Sequence, residues 1–219
     1  MKKALLFGLL AVFLAGCMSI PDSPNPRFYM LKPVDKEQVK EKIDISPDLI
    51  IGLGPVKIPE YLNRPQIVTF DKERMLHFSQ FDRWGEALDS GLARIIREDL
   101  MVLVPNITLE MFPCNTAISA DYQVMVDVIN IEADPEKELI FTVQWSVIDL
   151  RNKEKVFTKR SEFRHPVSPN NYMGLVQALS SACVDLSRDI AIDLVSLIDK
   201  RKLGVIVPVD SKEEASIKK

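Results

Sequence analysis

Two long segments of the chain carry apolar residues at helical spacing. The first segment, with Ser79 or Asp82 as the predicted cap and Pro105 as its stop, places one apolar stripe on a single face. That stripe consists of Trp84, Leu88, Gly91, Leu92, Ile95, Ile96, Leu100 and Leu103. The second segment opens at Ser168-Pro169 and reaches about Lys200. Its stripe consists of Tyr172, Leu175, Val176, Leu179, Cys183, Leu186, Ile190, Leu194 and Ile198. The sequence therefore predicts two long amphipathic helices.

Three consecutive segments between these helices alternate with a period of two. They are Tyr122 to Ile131, Leu139 to Leu150 and Lys155 to Phe163. In the middle segment the apolar set that includes Phe141 and Trp145 lies on one face, and the polar set that includes Gln144 lies on the other. Polar turns separate the segments, so this pattern predicts an antiparallel meander with one covered face.

Shorter apolar runs predict further strands. These runs are Phe28 to Leu31, Leu49 to Ile58, the hairpin pair Gln66 to Phe70 and Met75 to Ser79, and Ile107 to Phe112. Gly52 and Gly54 interrupt the second run and indicate a bulge or a close backbone approach. The charged stretch from Asp35 to Asp44 is typical of a solvated loop or a weak helix. Together these elements predict the α+β class: a mostly antiparallel or mixed sheet with two long amphipathic helices packed on it.

The amino-terminal segment has the three parts of a secretory signal. Lys2 and Lys3 precede a short apolar run, and Leu14-Ala15-Gly16-Cys17 follows. The run is too short to span a bilayer, which needs about 20 apolar residues. Small residues before a cysteine are typical of a bacterial lipobox, so we expect cleavage after residue 16 and acylation of Cys17 with chains such as palmitate. An ordinary signal peptide with a chance cysteine is the alternative.

The predicted segments divide the chain into four parts. Residues 1–16 form the signal peptide, and residues 17–27 form the lipidated cysteine with a proline-rich tether, whose composition favours an extended chain. Residues 28–204 form a single domain, and residues 205–219 form a charged tail that we expect to be disordered. Met18, not aspartate, follows the cysteine, which in the enterobacterial sorting scheme directs a lipoprotein to the periplasmic face of the outer membrane.

Composition narrows the function further. The net charge of -3 and the pI near 5.5 argue against a nucleic-acid binder, whose surface would be basic. No segment after the signal is apolar over transmembrane length. Besides Cys17 the chain has Cys114 and Cys183. A periplasmic location permits a disulfide between them, and two buried thiols are the alternative.

Candidate chemistry is sparse. His77 and His165 have no partner at metal-ligand spacing, and nucleophile elbows, zinc signatures and Walker motifs are absent from the sequence. Asp82-Arg83 beside Trp84 is better explained as a helix cap with first-turn charges than as an active site. We therefore expect a protein that is not an enzyme, with no metal and no cofactor other than the covalent lipid on Cys17.

The segment from Gly54 to Val68 is the least ordinary part of the sequence. It places Pro55, Pro59 and Pro65, together with Tyr61, between two predicted strands. On its own it is most simply a stiff strand connection whose tyrosine packs on the sheet.

Several ordered motifs resemble the PqiC-type lipoproteins, also described as ABC-type transport auxiliary lipoproteins. The shared motifs are Tyr29-Met30-Leu31, Ile51 to Val56, Pro59 to Val68, Phe81 to Leu88 and Asp121 to Val124, followed by the final long helix. The resemblance covers nearly the whole domain. Gly85, which would weaken the first turn of the predicted helix, and the pair Cys114 and Cys183 depart from the family pattern.

The resemblance implies an accessory role in intermembrane lipid transport. Such lipoproteins serve systems built around a mammalian-cell-entry (MCE) domain protein and its inner-membrane components, which maintain envelope integrity. It implies docking to the MCE protein, and possible self-association into a ring. The expected contact residues are Pro59, Tyr61, Leu62, Arg64, Phe81, Arg83 and Trp84. A structural or assembly lipoprotein with another client, and a periplasmic lipid-binding carrier, are the alternatives.

Overall fold

A computed structural model describes residues 24–202 except 38, 40–41, 45–48, 72, 114–119, 135–136 and 169–171. The predicted signal peptide, Cys17, most of the tether, Cys114, Pro169 and the charged tail lie outside the described residues. Within the described ranges, no helix combines the length and apolar character that a membrane crossing requires.

The described residues form eight strands and two long helices. The strands are β1 (Arg27–Tyr29), β2 (Ile50–Lys57), β3 (Gln66–Phe70), β4 (Leu76–Trp84), β5 (Thr108–Met111), β6 (Tyr122–Ala133), β7 (Glu138–Asp149) and β8 (Glu154–Pro166). The helices are α1 (Leu88–Leu103) and α2 (Tyr172–Lys202), and one 3-10 turn covers Glu60–Leu62. The observed architecture is α+β, as the sequence predicts.

The strands form two mixed sheets. The larger has the order β5-β2-β6-β7-β8, in which β2 is parallel to both of its neighbours. Its β6-β7-β8 half is the predicted antiparallel meander. The smaller sheet has the order β1-β4-β3, with β1 parallel and β3 antiparallel to β4. The predicted hairpin is therefore present, and the chain's first strand adds to its far side.

One core lies between the larger sheet and the two helices. The predicted apolar face of β7, which includes Phe141, Val143 and Trp145, is fully buried there. Leu92 and Ile95 of α1 and Leu186 of α2 are likewise inaccessible to solvent. The opposite face of β7 pairs with polar and charged residues of β8, such as Arg160 opposite Gln144. The alternating pattern thus fixes which face of the meander meets the helices.

The glycine-marked interruption of β2 is a bulge, as predicted. The register of β2 against β6 shifts between Leu53 and Val56. Gly54 lies within that shift with φ +114, a conformation that side-chain-bearing residues rarely adopt. The carbonyl oxygen of Phe112 lies 3.4 Å from where a Cβ would stand. Glycine at this position satisfies both a backbone angle and a close approach.

The predicted start of the first helix is wrong. Trp84 belongs to strand β4, and α1 begins only at Leu88, with Ala87 at its cap position and no side-chain cap. Ser79 and Asp82 do not cap a helix, because their side chains bond each other within β4. The cause is non-local: β1, more than fifty residues earlier, pairs with Asp82 to Trp84 and holds them extended. The predicted end holds, since α1 stops at Leu103, two residues before Pro105.

The helix boundary also changes the role of Gly85. This residue lies between β4 and α1, so it weakens no helical turn. Its amide donates a 2.7 Å hydrogen bond to the Tyr29 carbonyl, and an added Cβ would lie 3.0 Å from Cγ of Met30. Gly85 therefore lets the end of β1 approach the start of α1 closely.

Candidate functional site

Asp82 fixes the first strand of the domain to the small sheet. Its carboxylate accepts hydrogen bonds from Arg27 Nε at 2.8 Å, Arg27 Nη2 at 2.9 Å, the Tyr29 hydroxyl at 2.8 Å and Ser79 Oγ at 2.9 Å. Burial opposes ionisation of Asp82, but these donors together outweigh it, and the pKa of the carboxyl lies below its ordinary value. An ionised, fully hydrogen-bonded carboxylate thus holds β1 in place.

The segment of residues 30–34, which we name the strap, follows β1 and is hydrogen-bonded to both helices. Arg94 Nη2 donates a 3.0 Å hydrogen bond to the Leu31 carbonyl. The amide of Lys32 donates to Ser180 Oγ at 3.1 Å. Leu31 itself is buried in the core. One bond reaches α1 and the other reaches α2, so the chain that leaves β1 is bound to the central scaffold.

Glu86 and Glu98 hold Arg94 in the position that this strap requires. Arg94 Nη2 lies 2.7 Å from Oε1 of Glu86, and Nη1 lies 3.2 Å from Oε1 of Glu98. Hydrogen bonding to Glu86 is the main reason that the pKa of Arg94 lies above its ordinary value. Glu86, which precedes α1, and Glu98, within α1, therefore both fix the arginine that holds the segment after β1.

Asp99 binds the last residue of the strap, Val34, from inside the core. It is inaccessible to solvent, and its Oδ1 accepts a 2.7 Å hydrogen bond from the Val34 amide. Ser187 Oγ on α2 donates to its other oxygen at 3.5 Å. Burial raises the pKa of Asp99 to about 6, and the two hydrogen bonds offset only part of that effect. This carboxyl is therefore close to its titration point at neutral pH.

The loop Pro59–Asn63 lies between β2 and β3. We name it the docking loop after the partner contact that the sequence predicts for it. Leu62 is buried in the core and the Tyr61 hydroxyl donates a 2.6 Å hydrogen bond to Asn130 Oδ1 on β6. The Tyr61 ring also meets Phe70 edge-on, with centroids 6.1 Å apart. Tyr61 therefore packs on the sheet, while Glu60 and Asn63 are exposed. The loop is therefore held from its inner side by Tyr61 and Leu62 and presents the polar residues Glu60 and Asn63 as its crest.

Arg64 and Arg83 lie on the solvent side of the small sheet. The Arg64 guanidinium stacks on the Phe78 ring, with Cζ 4.2 Å from its centroid. Arg83 is the cross-strand partner of both Phe28 and Gln66. Within the described part of the chain, neither guanidinium has a carboxylate at ion-pair distance.

Phe81 and Trp84 are half-buried on β4. The Trp84 amide donates a 2.7 Å hydrogen bond to the Pro65 carbonyl, which ties β4 to the chain between the docking loop and β3. The Trp84 ring lines a small apolar recess together with Leu62, Leu88, Leu175 and Leu179. The recess holds about 320 Å³ of empty space, including space that is open to solvent. Of the seven predicted contact residues, Leu62 faces the core and the others are partly accessible.

Each histidine lies at hydrogen-bond distance from a carboxylate. His77 Nε2 is 3.0 Å from Asp71 and His165 Nε2 is 3.0 Å from Asp185. Cys183 is fully buried on α2, and burial raises the pKa of its thiol well above the ordinary value. Cys114 lies outside the described residues, so its pairing with Cys183 stays a prediction. Among the described residues, no group of three or more metal-ligating side chains comes together.

Sequence reasoning missed three residues that organise this region. Asp82 was expected to cap a helix, and neither Asp99 nor Asn130 was expected to have a role. The sequence did contain a sign that Asp99 is buried. It falls three residues after Ile96 and four after Ile95, which places it on the apolar stripe of α1. A charge at such a position is rarely buried unless it has a partner. Asn130 gave no comparable signal.

Comparison with known proteins places these features in a family. The sequence matches a family model described as ABC-type transport auxiliary lipoprotein component over residues 29–191. No curated protein matches the chain. The crystal structure of an uncharacterised protein is similar at 13% identity and a TM-score of 0.64, covering 78% of this chain and 99% of that one. The structure of a Xanthomonas campestris protein of family DUF330 is similar at 11% identity and a TM-score of 0.60, covering 82% and 97%. At such identities the two structures show the fold alone.

Proposed function

This chain belongs to the ABC-type transport auxiliary lipoprotein family, and from that premise we propose that it is a non-enzymatic outer-membrane component of an MCE-type lipid-transport system. The acylated Cys17 would anchor it to the periplasmic face of that membrane. The domain would then dock the periplasmic MCE protein and contribute to envelope integrity. The observation that carries the proposal is the family match, which spans the described domain from Tyr29 in β1 to Ala191 in α2.

The strap after β1 supports an anchoring role. A tether that ends at Arg27 leads directly into a strand and a segment that are hydrogen-bonded to Asp82, Arg94, Ser180 and Asp99. A force applied through the anchor would therefore reach the helices and not a loose terminus. This is the arrangement that a fixed docking point requires.

The polar groups of the site support a non-catalytic role. Among the described residues each imidazole pairs with a carboxylate. The Asp82 carboxylate is ionised and accepts four side-chain hydrogen bonds. A general base at neutral pH needs a pKa near 7 and access to substrate. Asp99 has a raised pKa but is sealed inside the core. These side chains hold the fold together.

We place the contact with the MCE protein on the docking loop. Its backbone is fixed from below by the packing of Leu62 and the Tyr61–Asn130 hydrogen bond, so little ordering cost is left for binding. Its crest presents Glu60 and Asn63 to solvent. Phe81 and Trp84 on β4 adjoin the loop through the Trp84–Pro65 hydrogen bond.

Charge reversal on this crest tests the placement. The double variant Glu60→Lys, Asn63→Lys should lose capture of the MCE protein from envelope extracts, identified by mass spectrometry. Glu154→Lys, at an exposed position at the start of β8, is the matched control and should capture it as the native protein does. Capture of the MCE protein by the double variant at the native level would remove the docking loop from the proposal. Failure of the native protein to capture it would remove the MCE partner.

The carrier alternative finds less support. Ligand pockets usually enclose roughly 300 to 1,000 Å³. The enclosed part of the recess beside Trp84 has room for little more than a water molecule, far below that range. Its lining residues Leu62, Leu88 and Leu179 are buried members of the core. Mass spectrometry of lipid that co-purifies with the delipidated protein should therefore find no stoichiometric lipid.

A further inference from the structure

Exposed apolar side chains concentrate on the small sheet. Among the described residues, eleven large hydrophobic side chains are exposed, and five of them fall in residues 28–30 or 75–78. Phe28 is 64% exposed and Phe78 is 46% exposed. Single exposed hydrophobic residues are ordinary, but a cluster of this kind marks a contact surface.

Pairing and stacking link the key members of this cluster. Leu76 and Phe78 alternate on β4 and therefore point to the same side. The register of β3 against β4 shifts between Gln66 and Val68, so the strand is irregular between Phe78 and Arg83. Across this irregularity Ser79 and Asp82 are buried and bonded to each other, which leaves their neighbours Phe78 and Arg83 on the opposite side. The Arg64 guanidinium stacks on Phe78, and Arg83 is the partner of Phe28 on β1. We name the solvent side, formed by Phe28, Arg64, Leu76, Phe78 and Arg83, the outer face.

Each arginine of the outer face has one nitrogen without an acceptor among the described residues. The Nε atoms of Arg64 and Arg83 are shielded from solvent and have no hydrogen-bond partner among the described residues. Arg27, the arginine of β1, is by contrast paired with Asp82. Both side chains are only partly buried as a whole, so other atoms of each residue reach solvent. A guanidinium binds phosphate through two parallel hydrogen bonds, which makes a phosphate oxygen a suitable partner for these arginines.

The anchor brings a phosphate-rich surface within reach of this face. Ten residues separate Cys17 from Phe28. At no more than about 3.5 Å per residue, that stretch spans at most roughly 40 Å. Tethering over such a distance gives a local concentration in the millimolar range, at which weak contacts become populated. The small sheet, which contains the first strand after the tether, is therefore held beside the bilayer.

We propose that the outer face of the small sheet rests on the lipid headgroups of the bilayer that holds Cys17. Phe28 and Phe78 enter the interfacial region, and Arg64 and Arg83 bind the phosphates of neighbouring lipids. The inference rests on the proposed acylation of Cys17. It assigns the sheet's outer face to the membrane and leaves the docking loop to the partner, so that one domain contacts both.

A fluorescent probe at Phe28 tests this contact. The lipidated protein carrying Phe28→Cys and Cys114→Ser is labelled with an NBD fluorophore and reconstituted in vesicles of phosphatidylethanolamine and phosphatidylglycerol. Cys183 is fully buried and should not react. We expect the emission to shift to shorter wavelength and the bleaching of the probe by dithionite to slow several-fold. The matched control is Ile192→Cys on α2, which is 51% exposed and should stay accessible.

Arginine variants connect the contact to the phosphates. Arg64→Gln with Arg83→Gln should abolish the protection at position 28, whereas Arg64→Lys with Arg83→Lys should retain part of it. A purely structural role for these arginines predicts instead a lowered melting temperature in the glutamine variant with no change in the vesicle contact of the protein that remains folded. That result would overturn the inference.

The remaining outcomes separate this inference from the proposed function. Equal accessibility of the probes at positions 28 and 192, in protein whose intact mass and flotation with vesicles show acylation, would overturn the membrane contact and leave the anchor standing. Protection that appears only when the MCE protein's periplasmic domain is added would make the outer face a protein-docking surface. Protein without acyl chains would overturn the anchor and this inference together.

Discussion

Two carboxylates in this domain have opposite chemistry because their donors differ. Asp82 has four hydrogen bonds from side chains and is held in the ionised form. Asp99 has one short amide donor and a longer hydroxyl contact in a dry core, and its pKa is raised to about 6. Both hold the same segment of chain, which begins at Arg27 and reaches Val34. The stability with which this segment is held should therefore depend on pH, because Asp99 changes its protonation state.

Asp99 should make the domain less stable as pH rises. The folded-state pKa of about 6 exceeds the unfolded value of 3.8, so the native state binds the extra proton between these values. The free energy of unfolding should fall as pH rises from 4 to 8. Each pKa unit is worth 1.36 kcal/mol, so the fall amounts to about 3 kcal/mol. Urea titrations of the native protein and Asp99→Asn across this range should diverge by that amount, and parallel profiles would contradict the assignment.

Gly54 should resist replacement more than Gly85. Gly54→Ala forces a side chain into φ +114 and should cost roughly 1 to 3 kcal/mol of stability. Gly85→Ala meets mainly the mobile end of Met30, which is 55% exposed and can move aside. Thermal melts of the two variants should rank them in this order, whereas equal melting temperatures would argue against strain at Gly54.

At the scale of elements, the small sheet depends on one strand of three residues. β1 contributes only Arg27–Tyr29 to the pairing with β4, too few residues for a stable strand by itself. The Asp82 hydrogen bonds and the strap supply the missing stability. Replacement of Asp82 should therefore open the amino-terminal strand before it unfolds the core.

Asp82→Asn tests this hierarchy. It removes the carboxylate that Arg27, Tyr29 and Ser79 share and should cost roughly 1 to 3 kcal/mol. Hydrogen exchange should accelerate first in the peptide that covers residues 27–34, while the peptides of β7 remain protected. Asp127→Asn, at an exposed position on β6, is the control. Uniform acceleration across the domain would show that β1 and the core unfold as one unit.

The elements that sequence predicted well are those whose information is local. The α2 stripe, the β6-β7-β8 meander and the Gly54 bulge follow from periodicity and glycine placement over short windows. The start of α1 could not be predicted in this way, because pairing with β1 decides that Trp84 is extended. The same holds for the candidate site. Tyr61 could be expected to pack on the sheet, but its partner Asn130 lies 69 positions away.

At the scale of the whole molecule, the proposals give two surfaces different tasks. The docking loop presents Glu60 and Asn63 above a fixed base, and the outer face presents Phe28 beside Arg83, whose Nε has no partner among the described residues. The small sheet carries the outer face, and Trp84 of that sheet is bonded to Pro65, two residues after the docking loop. Contact with the bilayer would therefore orient the loop relative to the membrane. Under the proposed function, an anchored domain of this kind would serve as a fixed point for a transport machine.

Complementation by an unanchored domain is the decisive test of the anchoring role. A deletion strain would produce either the native protein or the same domain with residues 1–17 replaced by a signal peptide that is cleaved without acylation. With equal periplasmic amounts of folded protein, the native form should restore resistance of the envelope to detergent and the unanchored form should not. Full restoration by the unanchored form would contradict the claim that this protein works as a membrane-fixed docking point.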